Sequence, residues 1–281
     1  MKITGMTFAA ALVCLATSVQ AAPIVLSATG ANAAAIQGTV DVFRASLGAL
    51  NPNVAGSFGS GRREINWDGV PNNFSEPNNL PGNFFNVNSP RGVVLSTPGS
   101  GFQVSANAGN STPVEFGYST LFAPFSAERL FTALGSTITD VSFFIPGSTT
   151  RALTNGFGAV FTDVDEATST SIEFFNAADQ SLGQYFAPSS SGDETLSFLG
   201  VLFNEGSVVS RVRITSGNQV LAPGITSPDL VVMDDFIYGE PVPEPSTLLL
   251  LMLAMAAAVD VRSRRSEDRK SNGADESRWA G

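Results

Sequence analysis

Three short strings hold the residues whose types and spacing could do chemistry. The densest is Glu64-Ile65-Asn66-Trp67-Asp68-Gly69. In a strand, Glu64 and Asn66 share one face and Trp67 takes the other, because side chains alternate. Asn and Asp supply the bidentate hydrogen bonds that sugars need, and the broad indole face matches the C–H side of a pyranose. Glu64, Asn66, Trp67 and Asp68 are therefore candidate ligand-binding residues. The competing reading makes Trp67 a core plug, the usual place of a single Trp in a sandwich. Glu64 with Asp68 could also form the carboxylate pair of a glycosidase. The other two strings are Asp163-Val164-Asp165 and Asp234-Asp235. Calcium takes six to eight oxygens from carboxylates and carbonyls. Asp163, Asp165 and Asp235 would supply the charge of one structural calcium site if the fold brought them together. The competing reading has each Asp capping a turn or facing solvent.

Absences narrow the chemistry further. The chain has 281 residues and no histidine. That removes Ser-His-Asp and Cys-His catalysis, and His-ligated metals with them. The single cysteine, Cys14, lies in an N-terminal segment that reads as removable. A disulfide-free mature domain must be stabilised by its core, with bound ions as the remaining source. Lysine is absent from residues 23–240 and arginine is sparse there, with acidic residues about twice as numerous as basic ones; the whole chain carries a formal net charge of −10. No basic stripe exists to neutralise phosphates, so nucleic acid is not an expected partner. What remains is carboxylate chemistry, neutral ligands or cations.

Both ends read as handled by export machinery. Residues 1–22 begin with Lys2, continue through an apolar region from Met6 to Ala16, and end on the small-residue site Val19-Gln20-Ala21. That is the layout of a secretory signal peptide. Near the other end, Val242-Pro243-Glu244-Pro245-Ser246 precedes an apolar run from Leu248 to Val259 and the cluster Arg262, Arg264, Arg265. The prolines forbid helix and hold the motif extended. The apolar run can enter a bilayer, and the arginines stay on the cytoplasmic side. Residues 241–265 resemble the PEP-CTERM sorting signal of Gram-negative bacteria. The resemblance implies an exosortase-type enzyme as partner, transient residence at the inner membrane, and delivery to the cell envelope or the extracellular polysaccharide matrix. A polar tail follows from Ser266 to Gly281.

The elements between these ends must position the candidate residues. Residues 23–240 read as one extracytoplasmic domain. Ile36, Val40, Phe43, Leu47 and Leu50 recur at helical spacing, which predicts a helix over Asn32 to Leu50, packed over the end of a sheet and stopped by Asn51-Pro52-Asn53. From Arg62 onward, short runs rich in Val, Ile, Phe and Thr alternate with Gly, Pro, Asn and Ser. They predict strands at Arg62–Trp67, Gly92–Ser96, Phe102–Ala106, Val114–Tyr118, Ile138–Ile145, Gly156–Asp163, Ser171–Asn176, Gln184–Ala187, Glu194–Phe203, Val208–Thr215 and Leu230–Tyr238. The fold class is all-β: an antiparallel β-sandwich, of jelly-roll type, with one N-terminal helix. The long loop from Asp68 to Pro90 carries Phe74, Leu80, Phe84 and Phe85, groups able to tuck it into the domain. The strings Gly156–Asp165, Glu194–Gly200 and Val231–Phe236 resemble galactose-binding-like jelly-roll modules, which implies a fold and a binding role. The reading that results is a non-catalytic exported protein sorted by its tail. The alternatives are a lectin-like carbohydrate-binding module, with or without calcium, and a carboxylate glycosidase.

Overall fold

The computed structural model describes residues 22–109 and 114–244. The signal segment before Ala22, together with Pro245, Ser246, Arg262, Arg264 and Arg265 of the sorting motif, lies outside those residues. The chain forms two compact units, the first ending at Val242. Within the first, the elements in chain order are β1 (Ile24–Gly30), α1 (Ala33–Leu47), β2 (Arg62–Ile65), α2 (Phe84–Val87), β3 (Val93–Ser96), β4 (Gly101–Val104), β5 (Phe131–Leu134), β6 (Ile138–Phe143), β7 (Ala152–Leu153), β8 (Gly156–Thr162), β9 (Ser171–Phe175), β10 (Ser181–Phe186), β11 (Leu196–Leu202), β12 (Arg211–Thr215) and β13 (Val232–Gly239).

Apart from β7, these strands make an antiparallel β-sandwich. One sheet runs β1-β11-β8-β13-β5-β4, with β2 also paired to β13; the other runs β10-β9-β12-β6-β3. Strands from the first and second halves of the domain mix in both sheets. The inner faces meet in a core that includes Phe143, Phe157, Phe161, Phe174, Phe236 and Tyr238. The phenylalanines are thus packing groups.

The larger sheet is covered on its other face too. Ile36, Val40, Phe43 and Leu47 of α1 are buried against Val160, Leu196, Phe198 and Ile237. Double coverage explains why every residue of β8 and β13 is buried, where a strand with one wet face would alternate. The helix lies on the sheet's face, not over its end. Two facing glycines make the notch for Phe43. Gly158 stands opposite Gly200 across β8 and β11. A Cβ on Gly158 would come within 2.9 Å of the Phe43 ring, and one on Gly200 within 2.8 Å. Burying such a ring contributes roughly 3 kcal/mol.

Helix α1 starts at the Asn32 cap, whose Oδ1 accepts the N–H of Ala35. It ends at Gly48, at φ 100°, whose N–H returns to the carbonyl of Ala45. A left-handed glycine cap therefore stops it before the Asn-Pro-Asn string is reached. The stretch predicted as a strand at Val114–Tyr118 is instead a 3₁₀ turn over Glu115–Gly117, with positive φ at Glu115 and Phe116. Strands β1, β5 and β7 lie outside the predicted set. Leu80, Phe84 and Phe85 of the long loop are buried, and Phe74 packs beside them.

Candidate functional site

The site forms where β13 changes neighbours. Its first part pairs with β5, at Met233 opposite Phe131. Its second part pairs with β2, from Phe236 opposite Ile65 to Gly239 opposite Arg62. Between them, Asp234 and Asp235 face a single residue of β8: Met233 pairs with Phe161 and Phe236 with Ala159. This is a β-bulge. It resets the alternation so that Met233 and Phe236, three apart, both enter the inter-sheet core. The two aspartates converge on one serine. Ser126 Oγ donates to Asp235 Oδ1 at 2.7 Å and to Asp234 Oδ1 at 3.2 Å.

Asp234 is fully buried and works as a backbone cap. Its Oδ2 accepts the N–H groups of Phe125, at 2.6 Å, and Ser126, at 3.0 Å. Burial first, and then the neighbouring charge of Asp235, holds its carboxyl well above the ordinary value. Asp235 is also raised by burial, opposed by the Ser126 hydroxyl and the charge of Arg44. Arg44, projecting from α1, donates from Nη2 to Asp235 Oδ2 and to Glu64 Oε2, both at 3.0 Å. Arg62 Nε closes on Glu64 Oε1 at 2.6 Å. Glu64 thus lies between two guanidinium groups.

Beside this network is a polar cleft of about 430 Å³, lined among others by Gln37, Arg44, Asn53, Glu64, Asn66 and Arg91. A smaller cavity of about 200 Å³ shares two of its lining residues, Asn66 and Arg91. Two of the candidates from the first string, Glu64 and Asn66, therefore line the larger cleft together with Asp235. The other two do not.

Trp67 is buried, at 1% exposure, and lines the smaller cavity from within the core. Its indole stacks on Phe131 at 4.0 Å with the planes 2° apart, and the edges of Phe85 and Phe236 close around it. Its Nε1 donates to the carbonyl of Asp234 at 2.8 Å. Neither face is presented to a sugar, so Trp67 braces the bulge and is no stacking platform. Asp68 lines neither cavity; its Oδ1 accepts the N–H of Arg129 at 3.0 Å. Burial raises its pKa, against the hydrogen bonds it accepts. Glu64 and Asp68 therefore line neither of these cavities together, and a glycosidase pair needs a common cleft.

The calcium set is also divided. Asp163 follows β8 at φ 68°, with its N–H donating to the carbonyl of Thr195. It is buried, and its Oδ1 has no partner among the described residues. Burial, then the charges of Asp165, Asp193 and Asp229, push its carboxyl up to about 7. Asp229 caps the same turn, accepting the N–H of Asp165 at 3.1 Å and of Glu166 at 3.4 Å. Asp235 belongs to the bulge, with Arg44 and Ser126. Among the described residues no three acidic groups are placed to hold a metal ion. The alternation of strands could not foretell this, since the bulge redirects Asp235.

Comparison with known proteins decides the tail. Residues 241–265 match the PEP-CTERM protein-sorting motif. The chain carries an exosortase sorting signal. This makes it an exported, sorted protein of the kind processed at the membrane of Gram-negative bacteria. Val242, Pro243 and Glu244 are its described members. No helix among the described residues is long and apolar enough to cross a membrane. No curated protein matches the chain. Among solved structures, a glycoside hydrolase family 43 arabinoxylan arabinofuranohydrolase from Bacillus subtilis matches at 12% identity and TM-score 0.28, over 54% of this chain and 27% of that one. The tailspike protein 4 enzymatic domain of bacteriophage CBA120 matches at 13% identity and TM-score 0.28, over 66% of this chain and 23% of that one. The chain therefore spans about a quarter of each of these proteins.

The residues that sequence reasoning missed are Arg44, Arg91, Asn53 and Ser126. Arginine is the one basic residue type left in residues 23–240, so its positions are the signal that was available.

Proposed function

We propose that this protein is a non-catalytic cargo, a β-sandwich that its C-terminal signal delivers to the cell envelope or the extracellular polysaccharide matrix. The observation that carries this reading is the position of the sorting motif. Strand β13 ends at Gly239, and the motif begins two residues later, at residue 241. Between them Glu240 is locked into the sandwich, its Oε2 lying 2.6 Å from Nε of the buried Arg63. The last strand of the two main sheets thus ends two residues before the signal, and the signal's Val242 still belongs to the folded unit. The non-catalytic part is supported by the acidic side chains. Glu64 is clamped by Arg44 and Arg62, Asp234 caps backbone N–H groups, and Asp68 holds the loop at Arg129. Each has a structural task.

Replacing Pro243-Glu244-Pro245 with three alanines tests the sorting. Neither the N-terminal export segment nor the two main sheets include those residues, so the variant is expected to be exported and to fold. It is expected to stay with the inner membrane, because alanines permit helix and hide the peptide bonds that a processing enzyme reads. Fractionation beside wild type measures this. Release of the variant as efficiently as wild type would overturn the reading. The second reading, a lectin-like module, is favoured by the polar cleft with its unengaged amides.

A further inference from the structure

Around the cleft, four guanidinium groups come from four positions, and three have carboxylate partners. Arg44 holds Glu64 and Asp235, Arg62 holds Glu64, and Arg63 holds Glu240. Arg91 has no acidic partner among the described residues. Its side chain donates from Nη1 to the Ser89 hydroxyl and lies over the Phe85 ring at 5.1 Å. Its Nε is buried without an acceptor. An uncompensated, partly buried charge is costly to keep. Burial, together with the nearby charge of Arg63, lowers its pKa from the ordinary arginine value. Arg91 nevertheless faces open volume on two sides, since it lines both the 430 Å³ cleft and the 200 Å³ cavity.

What surrounds it is built for hydroxyl groups. Asn66 lines both cavities, Asn53 the larger and Asn88 the smaller. All three are exposed, and none of their side chains makes a hydrogen bond to a described residue. Two adjoining cavities that share a wall suit a chain of units better than a single small ion. Phe125, half-buried beneath Arg44 at 5.9 Å, offers an apolar flank. In a chain of net charge −10, a guanidinium with no carboxylate partner among the described residues, set beside amides that make no internal bond, selects for an anionic ligand.

We propose that this double cavity binds an acidic polysaccharide, with Arg91 taking a uronic-acid carboxylate and Asn53, Asn66 and Asn88 taking hydroxyl groups of neighbouring units. The proposal gives the matrix-directed reading a ligand class and rests on that reading for its setting. The two fail separately. Binding is measured on purified protein, where sorting plays no part, and a protein that binds nothing would still be sorted.

The test is calorimetric titration of the full chain, purified in detergent, with trigalacturonate and with its fully methyl-esterified form. The ester keeps the size and hydroxyls and removes the charge. The acid is expected to bind saturably, and the ester at least tenfold more weakly. Arg91→Gln should reduce binding of the acid to the level of the ester, and Arg91→Lys should restore part of it, since lysine keeps the charge without the fork. Asn66→Ala, at an exposed position that makes no internal bond, should weaken acid and ester alike by several-fold. It carries the test if Arg91→Gln does not fold. Equal binding of acid and ester would overturn the proposal. So would unchanged binding by Arg91→Gln, or inorganic sulfate occupying the site as tightly as the trisaccharide.

Discussion

The bulge of β13 and the turn after β8 each bury an aspartate among other acids, yet they are built in opposite ways. At the bulge, Asp234 meets two backbone N–H groups and a hydroxyl, and Asp235 meets the same hydroxyl and Arg44. At the turn, Asp163 has an orphaned oxygen and three acidic neighbours, with no cation among the causes that set its pKa. Burial raises the carboxyls in both places. Only at the bulge do donors make the acid useful to the fold. A buried carboxylate is stabilising or costly according to the donors it meets, and the number of acids around it is secondary.

The largest effect expected from this contrast is at Asp234. Asp234→Ala leaves the N–H groups of Phe125 and Ser126 without an acceptor in a buried place. That costs about 3 kcal/mol, the sum expected for two orphaned donors less the relief of repulsion with Asp235. Urea unfolding at pH 7 measures it. A neutral or stabilising result would mean that repulsion outweighs the capping, and the contrast would collapse.

The second expectation has the opposite sign. The folded carboxyl of Asp163 titrates at about 7, against an ordinary 3.8. Folding therefore favours its protonated form. The cost is absent below about pH 4, grows as pH rises, and is complete above about 7. A rise of that size would cost ~4 kcal/mol at most. Asp165 and Asp193 stand in solvent, where screening cuts their repulsion, so about 2 kcal/mol is expected. Asp163→Asn removes it, and asparagine tolerates the positive φ there. Thermal melts should show the variant more stable than wild type at pH 8 and equal to it at pH 4. A gain that does not vary with pH would show that the carboxyl charge is not the cause.

Much of the framework was legible because it rests on periodicity. The stripe Ile36, Val40, Phe43, Leu47 is the buried face of α1, and most strands lie within a few residues of their hydrophobic runs. What hid was set by long-range pairing. The bulge is invisible in Asp234-Asp235, because it exists only as a mismatch with Val160 of β8. Strand β1 draws its burial from β11, where Leu26 stands opposite Gly200, 174 residues further along the chain. The turn at Val114–Tyr118 has strand-like composition but needs positive φ at Glu115 and Phe116. Glu64 and Asn66 were found by strand alternation. Arg44 and Arg91 were not, since α1 and the start of β3 come beside β2 only in the folded chain.

The smallest expected effect sharpens the comparison by repeating one substitution in the other setting. Glu64→Gln, like Asp163→Asn, replaces a carboxylate with its amide. Glu64 accepts from Arg44 at 3.1 and 3.0 Å and from Arg62 at 2.6 Å. The amide keeps the shape but loses the charge and half of the accepting capacity. Arg44 retains Asp235, and Arg62 retains the carbonyl of Gly48, so neither guanidinium is stranded. The loss should therefore be about 1 kcal/mol, above that of an exposed pair and below that of a severed buried one. Part of it is screened, because Glu64 and Arg44 are 16% and 20% exposed in their side chains; the penalty should shrink in 1 M salt. Urea unfolding at low and high salt reads both quantities. The amide substitution then destabilises at the cleft and stabilises at the turn. If Glu64→Gln were stabilising at either salt concentration, the arginines would not be neutralising the acids of the cleft, and the two clusters would differ in location alone.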